Sequence, residues 1–485
     1  MNNEQIQQYL QNQINRSPSL LRSYVEDAQG NKYLTREIYD KMKLYIENFV
    51  AGGKELRIIG IPGLRGVGKT TILAQLYFLV QATHPTNVLY ISTDQIINEL
   101  NSDLFTVLDE YQKILGNSFE KSESEIFLFI DEIHFDKKWT SVLKTLYDKS
   151  KRVFVVCTGS SALSLKSTAD LARRVIFEKL YPMSFVETML LKTKYESLSN
   201  VISSLKLPIQ GLSKSIKQAL IYSADANECY SNLSELDADV KKYWFGIETL
   251  EVDKYLKYSS MPFALTISSE QHVYMLTNQL IDRVIERDLS ELGSFDTSTL
   301  SSIKNILLLV AGSSEVSLTS VAKSLRRISL ITLANILESL EKAEILIRVY
   351  PYGSTYKKVR KPSKYHFMTP AIRYALLSIV EGENAFLNHK GKYMEDVVAL
   401  SLHQNFSDKN ASPIFYDSSK GGADFLLSLS NKKIPIEVGY GKKLANQAEA
   451  TLKKLGGKYG IVVSDSELIL KNNIVKVPLK YFLLM

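Results

Sequence analysis

Residues 56–71 read LRIIGIPGLRGVGKTT: an apolar run, a glycine-rich turn, then a Lys-Thr pair that opens a second apolar stretch. Leu56 to Ile61 suits a buried strand and Thr71 to Val80 a helix, so the glycines fall where a strand must turn into a helix. Gly63 and Gly68 frame four residues ahead of Lys69 and Thr70, with Gly66 among them, which is the spacing of a phosphate-binding P-loop. Such glycines let backbone N–H groups curl around a β-phosphate. Lys69 adds a point charge on the β/γ oxygens, and the Thr70 hydroxyl ligates Mg²⁺. Gly63, Gly66, Gly68, Lys69, Thr70 and Thr71 are therefore the expected nucleotide-binding residues of an α/β sheet.

Hydrolysis needs a base and a charge sensor as well. The apolar run Ile126 to Ile130 ends in Asp131-Glu132, which would deliver two carboxylates to the phosphate edge of a parallel sheet. Asp131 is expected to hold the Mg²⁺ shell and Glu132 to polarise the attacking water. The next buried run, Arg152 to Cys157, ends in Thr158-Gly159-Ser160-Ser161, placing Ser160 to contact the γ-phosphate or the water. An isolated Asp-Glu pair would read as a solvated strand end; the flanking motifs favour a catalytic site. His134, just after this pair, could sense hydrolysis or substrate, but a lone histidine at a strand end is more often structural.

Residues 170–187, DLARRVIFEKLYPMSFVE, carry Arg173 and Arg174 ahead of Tyr181-Pro182-Met183-Ser184-Phe185. Together with the P-loop and the TGSS turn, this stretch resembles a bacterial and archaeal branch of the AAA superfamily of ATPases, in which "ARR" precedes "PLSF". Met183 stands here in place of the leucine. The resemblance implies ATP as the nucleotide. Arg174 matches the recurrent arginine and Arg173 stands beside it, and the resemblance implies that one of them acts as an arginine finger in a neighbouring subunit, and hence a homo-oligomer, because a guanidinium can neutralise transition-state charge in ways lysine cannot.

At 485 residues the chain has room for roughly two to four domains. Its two cysteines, Cys157 and Cys229, are too few for a disulfide framework. The polar N-terminus MNNEQIQQYLQNQ lacks a signal-type apolar core, and no run approaches the roughly 18 apolar residues of a membrane span. A cytoplasmic protein that enters no membrane is expected.

The net charge of +7 is concentrated, since ten basic residues face three glutamates between Lys323 and Lys364, an excess equal to that of the whole chain. Leu318 to Leu325 and Thr332 to Ala343 are apolar at helical spacing, and Ile345 to Tyr350 and Tyr365 to Phe367 bracket the basic YPYGSTYKKVRKPSK. Two helices and a β-wing make a winged helix-turn-helix. Lys357, Lys358, Arg360 and Lys361 on that wing are expected to meet phosphates of DNA or RNA. The alternative is a lid module that packs against nucleotide or a neighbouring subunit.

Residues 190–300 look mainly helical and hold no chemical cluster. Val284 to Leu289, after the periodic run Val273 to Ile281, resembles a linker of the same family and is assigned to packing.

In the last hundred residues the helix Tyr393 to Leu402 presents Glu395. Asp424 precedes the strand Phe425 to Leu429, and Glu437 lies in the strand Ile434 to Val438. This is the spacing of the restriction-endonuclease-like PD-(D/E)XK fold, in which strand carboxylates share Mg²⁺ and a lysine two residues on orients water. Glu395, Asp424 and Glu437 thus form a possible second metal site. Gly439 occupies the lysine position, with Lys442, Lys443 and Gln447 as replacements that could reach the site. Active nuclease, degenerate nucleic-acid-binding or interaction domain, and scaffold all stay open, with the degenerate domain preferred. The family resemblance extends here through Lys364-Tyr365-His366-Phe367, Thr369-Pro370, Gly391 to Glu395, Ala423-Asp424-Phe425 and Ile436 to Gly439, covering the chain from about residue 55 to its end.

The expected architecture is α/β. It comprises an N-terminal helical segment (1–50), a P-loop AAA ATPase core (51–190), a helical extension (191–300), a winged helix (301–378) and a small mixed α/β PD-(D/E)XK-like domain (379–485). The expected function is Mg²⁺-dependent ATP hydrolysis driving a nucleic-acid-associated motor or switch. A nucleotide switch acting on a protein partner, or an active metal-dependent nuclease, is the alternative.

Overall fold

The computed structural model describes residues 3–53, 55–160, 171, 173–192, 208–289, 295–313, 315–316, 318–325, 328–354, 361–407, 412–430, 432–441, 445–465 and 467–485. Lys357, Lys358, Arg360, Ser161, Arg326, Arg327, Lys442 and Lys443 lie outside the described residues. The chain forms two compact units, Met1–Tyr181 and Pro182–Met485.

The first unit is built on five parallel strands, β1 (Ile58–Pro62), β2 (Val88–Ser92), β3 (Ile126–Asp131), β4 (Val153–Gly159) and β5 (Ile176–Phe177), in the order β2-β3-β4-β1-β5. β1, β3 and β4 are buried along their whole length. Helices cover both faces of a parallel sheet, and this is why these strands read as unbroken apolar runs. The helices are α1 (Asn3–Arg22), α2 (Glu37–Val50), α3 (Lys69–Gln81), α4 (Thr93–Asn98), α5 (Leu104–Leu115) and α6 (Trp139–Lys149). Ile6 and Leu10 of α1 join the core that packs Ile58, Leu128 and Val155, so the N-terminal helix belongs to this unit's core. β1 starts two residues later than the apolar run suggested, and α3 starts two residues earlier, at Lys69 itself.

The second unit opens with helical segments that include Phe185–Leu191, Ile209–Lys217, Ala226–Glu235, Asp237–Phe245 and Glu270–Arg283. Next come α7 (Thr297–Gly312), β6 (Glu315–Val316), α8 (Leu318–Leu325), α9 (Leu330–Lys342), β7 (Leu346–Pro351) and β8 (Ser363–Phe367). Asp296 and Ser329 cap α7 and α9 by accepting from Thr299 N–H and Thr332 N–H. After β8, Thr369 caps and Pro370 opens α10 (Pro370–Glu381), followed by the long helix α11 (Asn384–Phe406).

The chain ends in β9 (Ile414–Tyr416), β10 (Phe425–Leu429), β11 (Lys432–Val438), α12 (Asn446–Leu455), β12 (Gly460–Ser464), β13 (Ile469–Lys471) and β14 (Ile474–Pro478). One mixed nine-stranded sheet, in the order β13-β14-β12-β11-β10-β9-β7-β8-β6, runs through all of it. The join is the parallel pairing of Tyr350 with Phe415 and Pro351 with Tyr416.

Candidate nucleotide site and C-terminal carboxylate cluster

The turn after β1 is shaped by two glycines. A Cβ on Gly63 would stand 2.3 Å from the Leu180 carbonyl oxygen, so only glycine lets the chain after β5 pass this close. Gly68, at φ 94° and ψ 24°, sits in the left-handed region and swings the chain directly into α3. Lys69 is buried; its Nζ donates to the carbonyl oxygens of Gly63 at 2.9 Å and Leu64 at 3.3 Å. Sequence reasoning missed Arg36, whose guanidinium donates to Val67 O at 2.7 Å and Tyr181 O at 2.9 Å and braces the turn from outside. A lone arginine 31 residues upstream leaves no local pattern that could have flagged it.

The C-terminal ends of β3 and β4 face this turn. Thr70 Oγ1 donates to Asp131 Oδ2 at 2.9 Å, Thr158 Oγ1 donates to Asp131 Oδ1, and Tyr90 OH donates to Oδ2 at 3.3 Å. Burial, then the adjacent Glu132 carboxylate, push Asp131 above the ordinary carboxylate range, against the opposing pull of Thr158, Thr70 and Lys69. A buried carboxylate disfavoured in this way, with a hydroxyl on it, is a donor set suited to a hard divalent cation. Glu132 stands at φ 50° and ψ 45°, an uncommon conformation for a residue with a side chain, and its N–H donates to Thr158 Oγ1 at 3.1 Å. Ser160 N–H donates to His134 Nδ1 at 3.3 Å. The fold therefore brings Lys69, Thr70, Asp131, Glu132 and Ser160 to one edge of one sheet.

The two arginines differ. Arg174 donates to Asp148 through Nε at 2.8 Å and Nη2 at 3.2 Å, within its own unit. Arg173 is exposed.

In the second unit, Asp424 Oδ1 lies 3.1 Å from Lys364 Nζ, and Asp424 Oδ2 accepts from Val438 N–H at 3.1 Å. Gln447, turned with its amide nitrogen toward the fully buried Glu437, donates to that carboxylate, 3.2 Å from Oε2. Burial, then the Asp424 charge, push Glu395 up to about 7. Sequence reasoning placed Gln447 near this cluster but missed Lys364, which reaches in from β8. Among the described residues no group of three His, Cys, Asp or Glu side chains is gathered to hold a metal ion.

Close by, Arg373 and Asp396 are both fully buried and paired in a fork, with Nε to Oδ2 at 2.6 Å and Nη2 to Oδ1 at 2.8 Å. Arg373 Nη1 also donates to Ala311 O at 2.5 Å, and Phe367 N–H donates to Asp396 Oδ1 at 2.9 Å, so the pair ties α7, β8, α10 and α11 together. His366, fully buried beside them, is held well below the ordinary histidine range by burial, then by Arg373 and Lys364.

Compared with known proteins, the chain is 35% identical over 490 residues to the uncharacterized protein MJ1637 of Methanocaldococcus jannaschii, covering 99% of this chain and 94% of that protein. It belongs to the MJ1637 family. The uncharacterized protein MJ1544 of the same organism is 22% identical over 431 residues, covering 86% of this chain and 79% of that protein. Residues 55–189 match the family model of an AAA domain, so the chain carries an AAA-type P-loop ATPase domain. Residues 249–383 and 390–482 match two domains of unknown function, DUF8612 and DUF4143. Among solved structures, the Aeropyrum pernix Orc1 protein in complex with DNA is similar with a TM-score of 0.32 and 12% identity, over 70% of this chain and 91% of that one. Among the described residues no helix is long and apolar enough to cross a membrane.

Proposed function

We propose that this protein binds and hydrolyses ATP with Mg²⁺ and uses the cycle to drive a motor or switch on nucleic acid. The observation that carries the reading is the bond from Thr70 to Asp131, which joins the P-loop helix to the carboxylate strand and leaves Glu132 and Ser160 beside it. Backbone N–H groups from Gly63 to Thr71 would cradle the phosphates. Lys69 would exchange its carbonyl contacts for the β/γ oxygens. Thr70 and Asp131 would hold Mg²⁺, which when bound neutralises developing phosphate charge. Glu132 would orient and polarise the water, and Ser160 would read the terminal phosphate. Arg173, exposed where Arg174 is engaged by Asp148, is the better placed finger for a neighbouring copy.

The nucleic-acid contact is assigned to a winged helix made of α7, β6, α8, α9, β7 and β8. The order of helix, strand, two helices and a strand pair supports that reading. Lys342, Arg348 and Lys364 lie in ion pairs with Glu338, Glu341 and Asp424, whereas Lys361 at the end of the β7–β8 connection is exposed, which supports that connection as a segment to meet phosphates. The C-terminal carboxylates are read as a degenerate nuclease site. Gly439 replaces the lysine, and Lys364 and Gln447 already occupy Asp424 and Glu437.

The test is ATP turnover with and without single-stranded DNA, duplex DNA and RNA at two salt concentrations. Salt-sensitive stimulation that disappears on charge reversal of Lys357, Lys358, Arg360 and Lys361 is expected. Turnover indifferent to every nucleic acid would move the assignment to a switch with a protein partner.

A further inference from the structure

His134 lies in the single helical turn Ile133–Phe135 that follows the carboxylate pair, and its side chain is 2% exposed. Its ring packs against Phe135 at 4.8 Å between centroids. Nδ1 lies 3.3 Å from Glu132 Oε2 and also 3.3 Å from the Ser160 amide nitrogen, which donates to it. One ring nitrogen cannot serve both neighbours. With a lone pair it accepts from the amide and repels the carboxylate oxygen; carrying hydrogen, it donates to the carboxylate and has nothing to offer the amide.

The rest of the site fixes both competitors in place. Glu132 is held in its left-handed conformation, with its N–H on Thr158 Oγ1 and its carbonyl oxygen accepting from Phe135 N–H at 3.1 Å. Thr158 lies on β4, two residues ahead of Ser160, and its hydroxyl also donates to Asp131. The carboxylate after β3 and the amide after β4 are therefore presented to the same nitrogen from two adjacent strands.

We propose that His134 is a positioning residue that couples the turn after β4 to Glu132. While the Ser160 amide is bound to Nδ1, the imidazole keeps no hydrogen for Glu132. When an oxygen of the terminal phosphate takes up that amide, the ring carries its hydrogen on Nδ1 in place of Nε2 and orients the Glu132 carboxylate toward the water. The base is thus set in place only in the presence of the group it attacks. This rests on the hydrolysis reading given above.

The experiment is steady-state ATP turnover and nucleotide affinity of the full chain carrying His134→Ala, His134→Phe or His134→Gln, alone and combined with Glu132→Gln. Alanine and phenylalanine remove the donor, so turnover should fall roughly 10- to 100-fold while ATP affinity stays within about twofold. Phenylalanine fills the buried space, so it serves where the alanine variant fails to fold. Glutamine keeps an N–H for Glu132 and should restore most of the rate. In the Glu132→Gln background, loss of the imidazole should cost nothing further. Wild-type turnover in His134→Phe, a glutamine variant as slow as phenylalanine, or a full additional loss on top of Glu132→Gln would each overturn the coupling. A wild-type chain that hydrolyses no ATP would instead overturn the hydrolysis reading itself.

Discussion

Thr70 Oγ1 donates to Asp131 Oδ2 across 2.9 Å, joining the first turn of α3 to the last residue of β3. If both atoms serve one Mg²⁺, Thr70→Ala should weaken nucleotide binding in Mg²⁺ by roughly 10- to 100-fold, as loss of a bond to a charged group does. Binding in chelator should change little. Lys69→Ala should lose affinity in both conditions. Nucleotide titrations with and without Mg²⁺ separate the two outcomes, and equal behaviour of the variants would remove the metal assignment from Thr70.

Glu132→Gln keeps the shape of the side chain and removes its basicity. It should bind ATP normally and turn over about 100-fold more slowly or worse. Single-turnover hydrolysis at saturating ATP is the direct check, and a wild-type rate would withdraw Glu132 as the base.

Arg173→Ala should hydrolyse poorly, by roughly 1000-fold if it is a finger in trans, yet bind ATP. Mixing it with Lys69→Ala subunits should restore activity, because each partner supplies what the other lacks. Arg174→Ala should have the milder effect, since this arginine answers to Asp148. If the mixture stays inactive, the finger is not Arg173 acting between subunits.

Arg373→Met leaves Asp396 buried without its fork, and should destabilise the second unit by about 3–5 kcal/mol. Adding Asp396→Leu should recover much of that loss. Thermal melting of wild type and the two variants tests this, and equal melting of wild type and Arg373→Met would show that the pair does not hold the helices.

Glu395 is raised from 4.5 to about 7 by burial and then by Asp424, so the folded chain holds this proton more tightly than the unfolded one does. Its contribution to stability is full below 4.5 and is lost as pH rises through about 7. Melting temperature should therefore decline over that window more in wild type than in Glu395→Gln. Parallel profiles would mean that Glu395 does not carry the slope.

The candidate nucleotide site is legible in the sequence as a set of short contiguous words. GVGKT, IDE and TGSS each sit at the end of an apolar run, and a parallel sheet brings such ends to one edge. Strand limits slipped by about two residues, as apolar runs extend past their hydrogen-bonded parts. What stayed hidden were partners far apart in sequence. Lys364 lies 60 residues from Asp424, and Arg36 reaches the P-loop across 31. His134 was noticed, but its meeting with Ser160 depends on β3 and β4 being neighbours, which periodicity does not record. The same blindness hid β9 and the sheet it completes.

That sheet has a mechanical consequence. β7 and β9 belong to segments that match two different families, yet Tyr350 and Pro351 share backbone pairing with Phe415 and Tyr416. The two matched segments are thus joined by backbone pairing within one sheet, and peeling the strands apart would break it. β10, which Asp424 precedes, and β11, which bears Glu437, lie in this same sheet, and a deletion that removed either segment would expose the raw edge of the other.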